Sequence, residues 1–139
     1  MTAGPANQDF LRELGAEPID YTREDVPARV HELSPGDGAD AALDIFGGDA
    51  REQAIASLRR GGRLVSLASP APEPREGYEI HYIFVRPSGW DLGEHISPLV
   101  QEGRLRPHVA EVYPLERAAE AHERLEQGHG RGKLVLTIP

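Results

Sequence analysis

The chain has 139 residues, enough for one hydrophobic core and not for two. Its net charge of −8 and pI near 5.2 argue against nucleic acid and anionic membrane surfaces as partners. The absence of cysteine removes disulfides, thiolate catalysis and cysteine-ligated zinc together, and the lack of a long apolar run or signal-peptide pattern in "MTAGPANQDF" predicts a soluble, cytoplasmic protein.

In chain order, "NQDFLRELG" places Phe10, Leu11 and Leu14 at helical spacing and ends at Gly15, a natural residue beyond a helix C-terminus. "EPIDY" predicts a very short strand. "REDVPARVHEL" offers Asp25 as an N-cap and Pro27 in the first turn, with Val30 and Leu33 on one face. "SPGDG" is a dense cluster of turn formers. "ADAALDIF" then predicts a buried strand with a continuous apolar end. "GGDAREQAIASLRRGG" predicts a helix: Asp49 and Glu52 stand at capping-box-like spacing, Ile55 and Leu58 follow, and Gly61-Gly62 form a stop. "RLVSLA" is a second buried strand and "YEIHYIFV" a third, separated by the proline-rich loop "SPAPEPREG". "SGWDLGEHISPLVQEG" is helical by Leu92, Ile96, Leu99 and Val100, with a kink expected at Pro98. "LERAAEAHERLEQG" predicts a further helix and "KLVLTI" a closing strand. Strands alternating with helices at this spacing predict a single α/β domain with a mainly parallel sheet.

Two glycine motifs invite a nucleotide reading. Gly36, Gly38 and Ala41 match G-x-G-x-x-A, but a working fingerprint lies between a strand and a helix N-terminus. These glycines precede a strand, so they are expected to deliver the chain into it. "GHGRGK" fails as a phosphate loop because Lys133 is followed by Leu134 and a strand, and it reads as a simple loop. The junction that could touch a cofactor is "LDIFGGDAREQ", where a strand ends, two glycines turn and a helix begins. In open α/β sheets ligands lie outside the carboxyl ends of strands, and Tyr21, Phe46, Gly47, Gly48, Ala68, Ser69 and Arg86 all fall near such ends. Gly47 and Gly48 serve equally well as turn residues and nothing more.

"FLRELGAEPIDY", "ALDIFGGDA", "SLRRGGRLVSLA", "FVRPSGWDL" and "LVQEGRLRPHVAEVYPLERAAEAHERLEQGHGRGKLVLTI" resemble the C-terminal part of the zinc-independent medium-chain dehydrogenase/reductases of the quinone oxidoreductase type. The resemblance covers nearly the whole chain. It implies an α/β fold that is a partial (truncated) Rossmann-like, mainly parallel sheet flanked by helices, and NADPH-dependent reduction of quinones and enones. It also implies site positions: Tyr21 near the adenosine end, Gly47 and Gly48 under the ribose and nicotinamide, Leu67, Ala68 and Ser69 lining the nicotinamide, and Ile83, Phe84 and Val85 meeting its carboxamide through the backbone. Leu67, Ile83 and Phe84 are also what any buried strand uses.

In the family the catalytic domain and the first Rossmann strand, with its glycine-rich phosphate loop, precede the segments matched here. The expectation is therefore that these 139 residues bind NADP(H) weakly or not at all, since pyrophosphate recognition rests on backbone N–H groups of that loop. "MTA" is expected to survive as a stub of strand two, with "PIDY" shifted inward to pair with "ALDIF". The resemblance further implies a homodimer built on residues 78–85.

For catalysis the candidates are Asp44, His81 and His95. Asp44 in a buried strand is either a satisfied structural carboxylate or a site residue with a raised pKa. His81 in a strand and His95 on the next helix could face one cleft as an acid–base pair. The six histidines form no closely spaced ligand pair, so no metal is expected. Trp90 reads as a surface or interface anchor. Three functions stay open: an oxidoreductase-like protein that has lost the old chemistry; a recruited cyclase, isomerase or dehydratase taking a small hydrophobic molecule in a pocket of Phe46, Ser69, His81, Tyr82 and Arg86; and a binding or assembly module.

Overall fold

The structure is a computed structural model that describes the chain except Val85, Pro87, His129 and Pro139. Its residues gather into two compact units, Met1–Arg86 and Pro87–Pro139.

The first unit opens with strand β1 (Thr2–Ala3), helix α1 (Gln8–Glu13) and strand β2 (Ile19–Asp20). The two strands pair in parallel, Thr2 with Ile19 and Ala3 with Asp20. "PIDY" therefore lies beside "MTA" and not beside "ALDIF", which corrects the expected inward shift. The short helix α1 carries the chain over so that β2 returns next to β1. Helix α2 (Val26–Leu33) starts as expected, with the Asp25 carboxylate accepting from the Ala28 amide at 2.9 Å.

Strand β3 (Ala39–Asp44), helix α3 (Gly48–Ala56), strand β4 (Leu58–Ser66) and strand β5 (Glu79–Tyr82) complete the unit. The three strands form one parallel sheet in the order β3-β4-β5. Gly38 delivers the chain into β3 at φ +122°, and a Cβ there would stand 2.7 Å from the Ser57 carbonyl oxygen. The glycine is required by close backbone approach, which explains the motif without a nucleotide. Helix α3 is shorter than the sequence suggests. Leu58 to Gly62, expected as its end and stop, already belong to β4, and β3 draws them in through pairing of Ala39 with Leu58. Asp49 and Glu52 form no capping box: Gly47 is the N-cap without a side-chain cap bond, and Glu52 instead accepts from Arg75 at 2.8 Å.

The core is small. Ile55, Leu58 and Leu64 are buried, with Ala42, Ala54, Tyr78 and Ile80 against them, so one sheet face holds α3. Leu43, in register with Val65 and His81 on the opposite face, is 64% exposed. "ADAALDIF" is thus not the fully buried strand expected. Side chains alternate between faces, so only one row of β3 can meet α3.

In the second unit, helix α4 (Gly89–Asp91) passes into a π-helical turn at Leu92–Ile96 and then into helix α5 (Ser97–Gln101). The disturbance falls just ahead of Pro98, whose ring and missing N–H spoil the α ladder at residue 94. Strand β6 (Val109–Pro114), not anticipated from sequence, pairs in parallel with strand β7 (Lys133–Thr137) across helix α6 (Ala118–Glu126). Lys133 begins a strand, as expected for a simple loop before it. Among the described residues no helix is long and apolar enough to cross a membrane.

Candidate functional site

The carboxyl ends of β3 and β4 meet at one buried carboxylate. Asp44, the last residue of β3, accepts from the Phe46 and Gly47 amides through Oδ1, at 3.0 and 2.7 Å. Its Oδ2 accepts from Arg51 Nε and Ser66 Oγ, both at 2.7 Å. Arg51, from the first turns of α3, also donates through Nη2 to the Ala68 carbonyl at 2.8 Å and to Ser66 Oγ at 3.3 Å. The Ala68 amide closes the circuit by donating to Ser66 Oγ at 3.2 Å. Asp44, Arg51 and Ser66 are all buried.

Burial pulls the Asp44 carboxyl upward. The Arg51 guanidinium, the Gly47 amide, the Ser66 hydroxyl and the Phe46 amide outweigh burial and hold it at about 2, below the ordinary 3.8. Asp44 is thus not a site residue of raised pKa: it is a satisfied structural anion. Neither Arg51 nor Ser66 was singled out in the sequence. The signal for Arg51 was its place four residues before the buried Ile55, on the helix face turned to the sheet.

Around this anchor stand the positions that the sequence singled out. Gly47 turns at φ +76°, and a Cβ there would lie 3.3 Å from Arg51 Nη2 and 3.4 Å from Ala68 Cβ, so two loops close over the guanidinium. At Gly48 no atom lies within 4 Å of such a Cβ, and the backbone there is open. Phe46 is 79% exposed, and Leu67, Ser69, Tyr82, Ile83 and Phe84 are exposed as well. The Leu67 amide donates to the Asp44 carbonyl and the Ile83 amide to the Ser66 carbonyl, so neither N–H is left for a ligand. Ala68 is buried under the loop. Val85 lies outside the described residues.

Tyr21 sits at the carboxyl end of β2, in a turn fixed by Asp20, whose carboxylate accepts from the Thr22 hydroxyl at 2.6 Å and the Thr22 amide at 3.0 Å. The Thr22 hydroxyl holds the Asp20 carboxyl below the usual range. Tyr21's hydroxyl lies 3.8 Å from the place of a Cβ on Gly4, so the phenol covers the end of β1. Arg86 is exposed.

The two candidate histidines have other partners. His81 is an exposed residue of β5 whose Nε2 lies 3.9 Å from Glu79 Oε2; that carboxylate is already paired with Arg63 at 2.6 Å. His95 belongs to the second unit, where its ring packs edge-on against Trp90 at 5.0 Å. Among the described residues no three His, Asp or Glu side chains are placed to hold a metal ion, so the donor set does not fit zinc.

A family model described as zinc-binding dehydrogenase matches residues 14–136. An Arthroderma benhamiae protein named "Probable zinc-binding oxidoreductase, mitochondrial" is 32% identical, over 99% of this chain and 43% of its own length. The chloroplastic NADPH-dependent alkenal/one oxidoreductase of Arabidopsis thaliana is 30% identical, over 97% of this chain and 32% of its own. A solved quinone oxidoreductase from Coxiella burnetii superposes with TM-score 0.81 at 31% identity, covering 99% of this chain and 44% of that one. A solved NAD-dependent alcohol dehydrogenase matches at the same TM-score and identity, covering 99% and 43%. The chain spans less than half the length of these relatives.

Proposed function

Because this chain belongs to the zinc-binding dehydrogenase family, with quinone oxidoreductase-like relatives, we propose that the carboxyl edge of β3-β4-β5 is the nicotinamide-side wall of an NAD(P)H site in an oxidoreductase. The observation that carries this reading is the pair of loops at 46–48 and 67–69. Both are tied to one buried ion pair, and both turn apolar side chains or open backbone outward. Parallel sheets bind ligands at this edge. The nicotinamide cofactor, when bound, supplies hydride chemistry.

This chain's own residues bind and orient. Gly48 lets a ribose approach the backbone, and Phe46, Leu67 and Phe84 offer apolar surface to a ring and shield it from water. Ser69 offers a hydroxyl, and Tyr21 covers the adenosine end. Asp44 moves no proton, since four donors and a depressed pKa hold it ionised.

The 139 residues by themselves hold the nucleotide weakly. Their one G-x-G-x-x-A run is used up in entering β3, leaving the pyrophosphate without several charge-assisted contacts of about 1.5–3 kcal/mol each. Residues 78–85 form the edge through which two copies join. Titration with NADPH and NADH tests the site. The expected result is a dissociation constant weaker than micromolar by calorimetry, with NMR shifts at Phe46, Leu67 and Phe84 at millimolar nucleotide. A micromolar or tighter constant overturns the weak binding. Silence at all three residues overturns the site, and shifts there with an apolar probe but with neither nucleotide favour a non-redox enzyme.

A further inference from the structure

We infer that Arg51 is a positioning residue for the whole carboxyl edge, one guanidinium that sets the conformation of both loops, 46–48 and 67–69, on which a ligand there would rest. The inference deepens the nucleotide reading above and rests on it for the ligand's identity.

The geometry is that of a fork with three prongs used. Nε faces Asp44 at the end of β3, and Nη2 faces the Ala68 carbonyl and the Ser66 hydroxyl at the end of β4. Asp44 in turn holds the amides of Phe46 and Gly47, and Ser66 holds the amide of Ala68. Each loop is thus bonded to a side chain that is itself bonded to Arg51. Short loops after neighbouring strands would otherwise be coupled weakly, since beyond the ladder the one backbone bond between them among the described residues is the Leu67 amide donating to the Asp44 carbonyl. A planar guanidinium with donors in fixed directions suits this task, whereas a lysine ammonium on the same helix turn can meet one partner well and not three.

The remaining buried polar groups of the unit do no comparable work. Ser57 bonds back to the Gln53 carbonyl within its own helix, and Asp20 serves its own turn. Arg51 is buried and its three side-chain bonds go to the strand ends and the 67–69 loop, so it acts through them.

The test is amide hydrogen exchange by NMR in wild type, Arg51→Lys and Asp44→Val/Arg51→Met, with the Leu64 amide in the core as internal reference. Arg51→Lys keeps a positive partner for Asp44 but gives up the fork. It is expected to speed exchange of the Ala68 amide at least tenfold relative to Leu64, while Phe46 and Gly47 change less. The double variant leaves no buried charge at this site, so it is expected to fold where the lysine variant does not. In it the Ala68 amide, whose acceptor Ser66 is retained, carries the same expectation. Exchange at Ala68 that moves in step with Leu64 in both variants overturns the inference, because Arg51 would then only stabilise the fold. Nucleotide shifts at Phe46 and Leu67 that persist unchanged in Arg51→Lys despite a loosened Ala68 also overturn it. Wild type that shows no nucleotide shifts counts against the cofactor reading alone, and the exchange result still decides the role of Arg51.

Discussion

Asp44 shows how a residue's chemistry is set by its partners. Its partners hold the carboxyl at about 2 in the fold against 3.8 when unpaired, a depression that contributes on the order of 2 kcal/mol of stability above pH 4. The sign follows from the depressed value: stabilisation is present while the unfolded carboxyl is ionised and fades as pH falls from about 4 toward 2. Wild type should therefore lose stability steeply over that window in urea titrations. Asp44→Asn should be flatter there, and lower by about 3–5 kcal/mol at pH 7, because Arg51 is left without its buried counter-charge. Equal slopes in the two proteins would contradict this account. The carboxylate was legible in the sequence as a charge at the end of an apolar strand. Its partner was not, because an arginine seven residues on reads as solvent-facing until the helix's inward side is fixed by Ile55.

At the level of elements, local pattern served where it agreed with packing. The Asp25 cap, the Gly38 turn and the strands at "RLVSLA" and "KLVLTI" follow from turn chemistry and apolar runs. Strand β6 was invisible, since "VAEVYP" exposes every residue but Tyr113 and exists by pairing with β7. The end of α3 was misplaced because Leu58 packs into the core equally as the last turn of a helix or the first residue of a strand. Two glycines two residues apart give a direct check on the turn into β3. Gly38→Ala puts a methyl against the Ser57 carbonyl at an unfavourable φ and should cost more than about 1 kcal/mol by urea midpoint. Gly36→Ala meets open space and should change stability by less than about 0.5 kcal/mol. Equal losses at the two sites would refute the close-approach explanation.

For the whole molecule, assembly and metal content follow from the strand edge and the donor set. Just past β5 the Ile83 amide donates to the Ser66 carbonyl of β4, so by alternation the Tyr82 amide faces away from β4. Proline at an outward position spares the chain's own ladder. Tyr82→Pro should leave the thermal midpoint within a few degrees and convert a dimer, seen by light scattering at micromolar concentration, into a monomer. A wild type that is strictly monomeric, or a dimer indifferent to Tyr82→Pro, sinks the β5 interface. Chelator-washed protein should carry no stoichiometric zinc by elemental analysis. One equivalent of tightly held metal would mean that ligands come together outside the arrangement described above.

The exposed apolar side chains at the end of β3 and just past it bear on how the protein behaves as a colloid. Leu43, Ile45 and Phe46 are all more than half exposed. Among the described residues β3 pairs on one side only, with β4. At neutral pH the excess of acidic groups keeps such surfaces apart. Acidification toward the isoelectric point near 5.2 removes that repulsion, yet the Asp44 anchor stays charged until far lower pH. The interval around the isoelectric point, from about pH 5.5 to about pH 4.8, should therefore be one of turbidity without unfolding: reversible clouding of native protein, cleared by returning to pH 7 and accompanied by an unchanged far-UV spectrum.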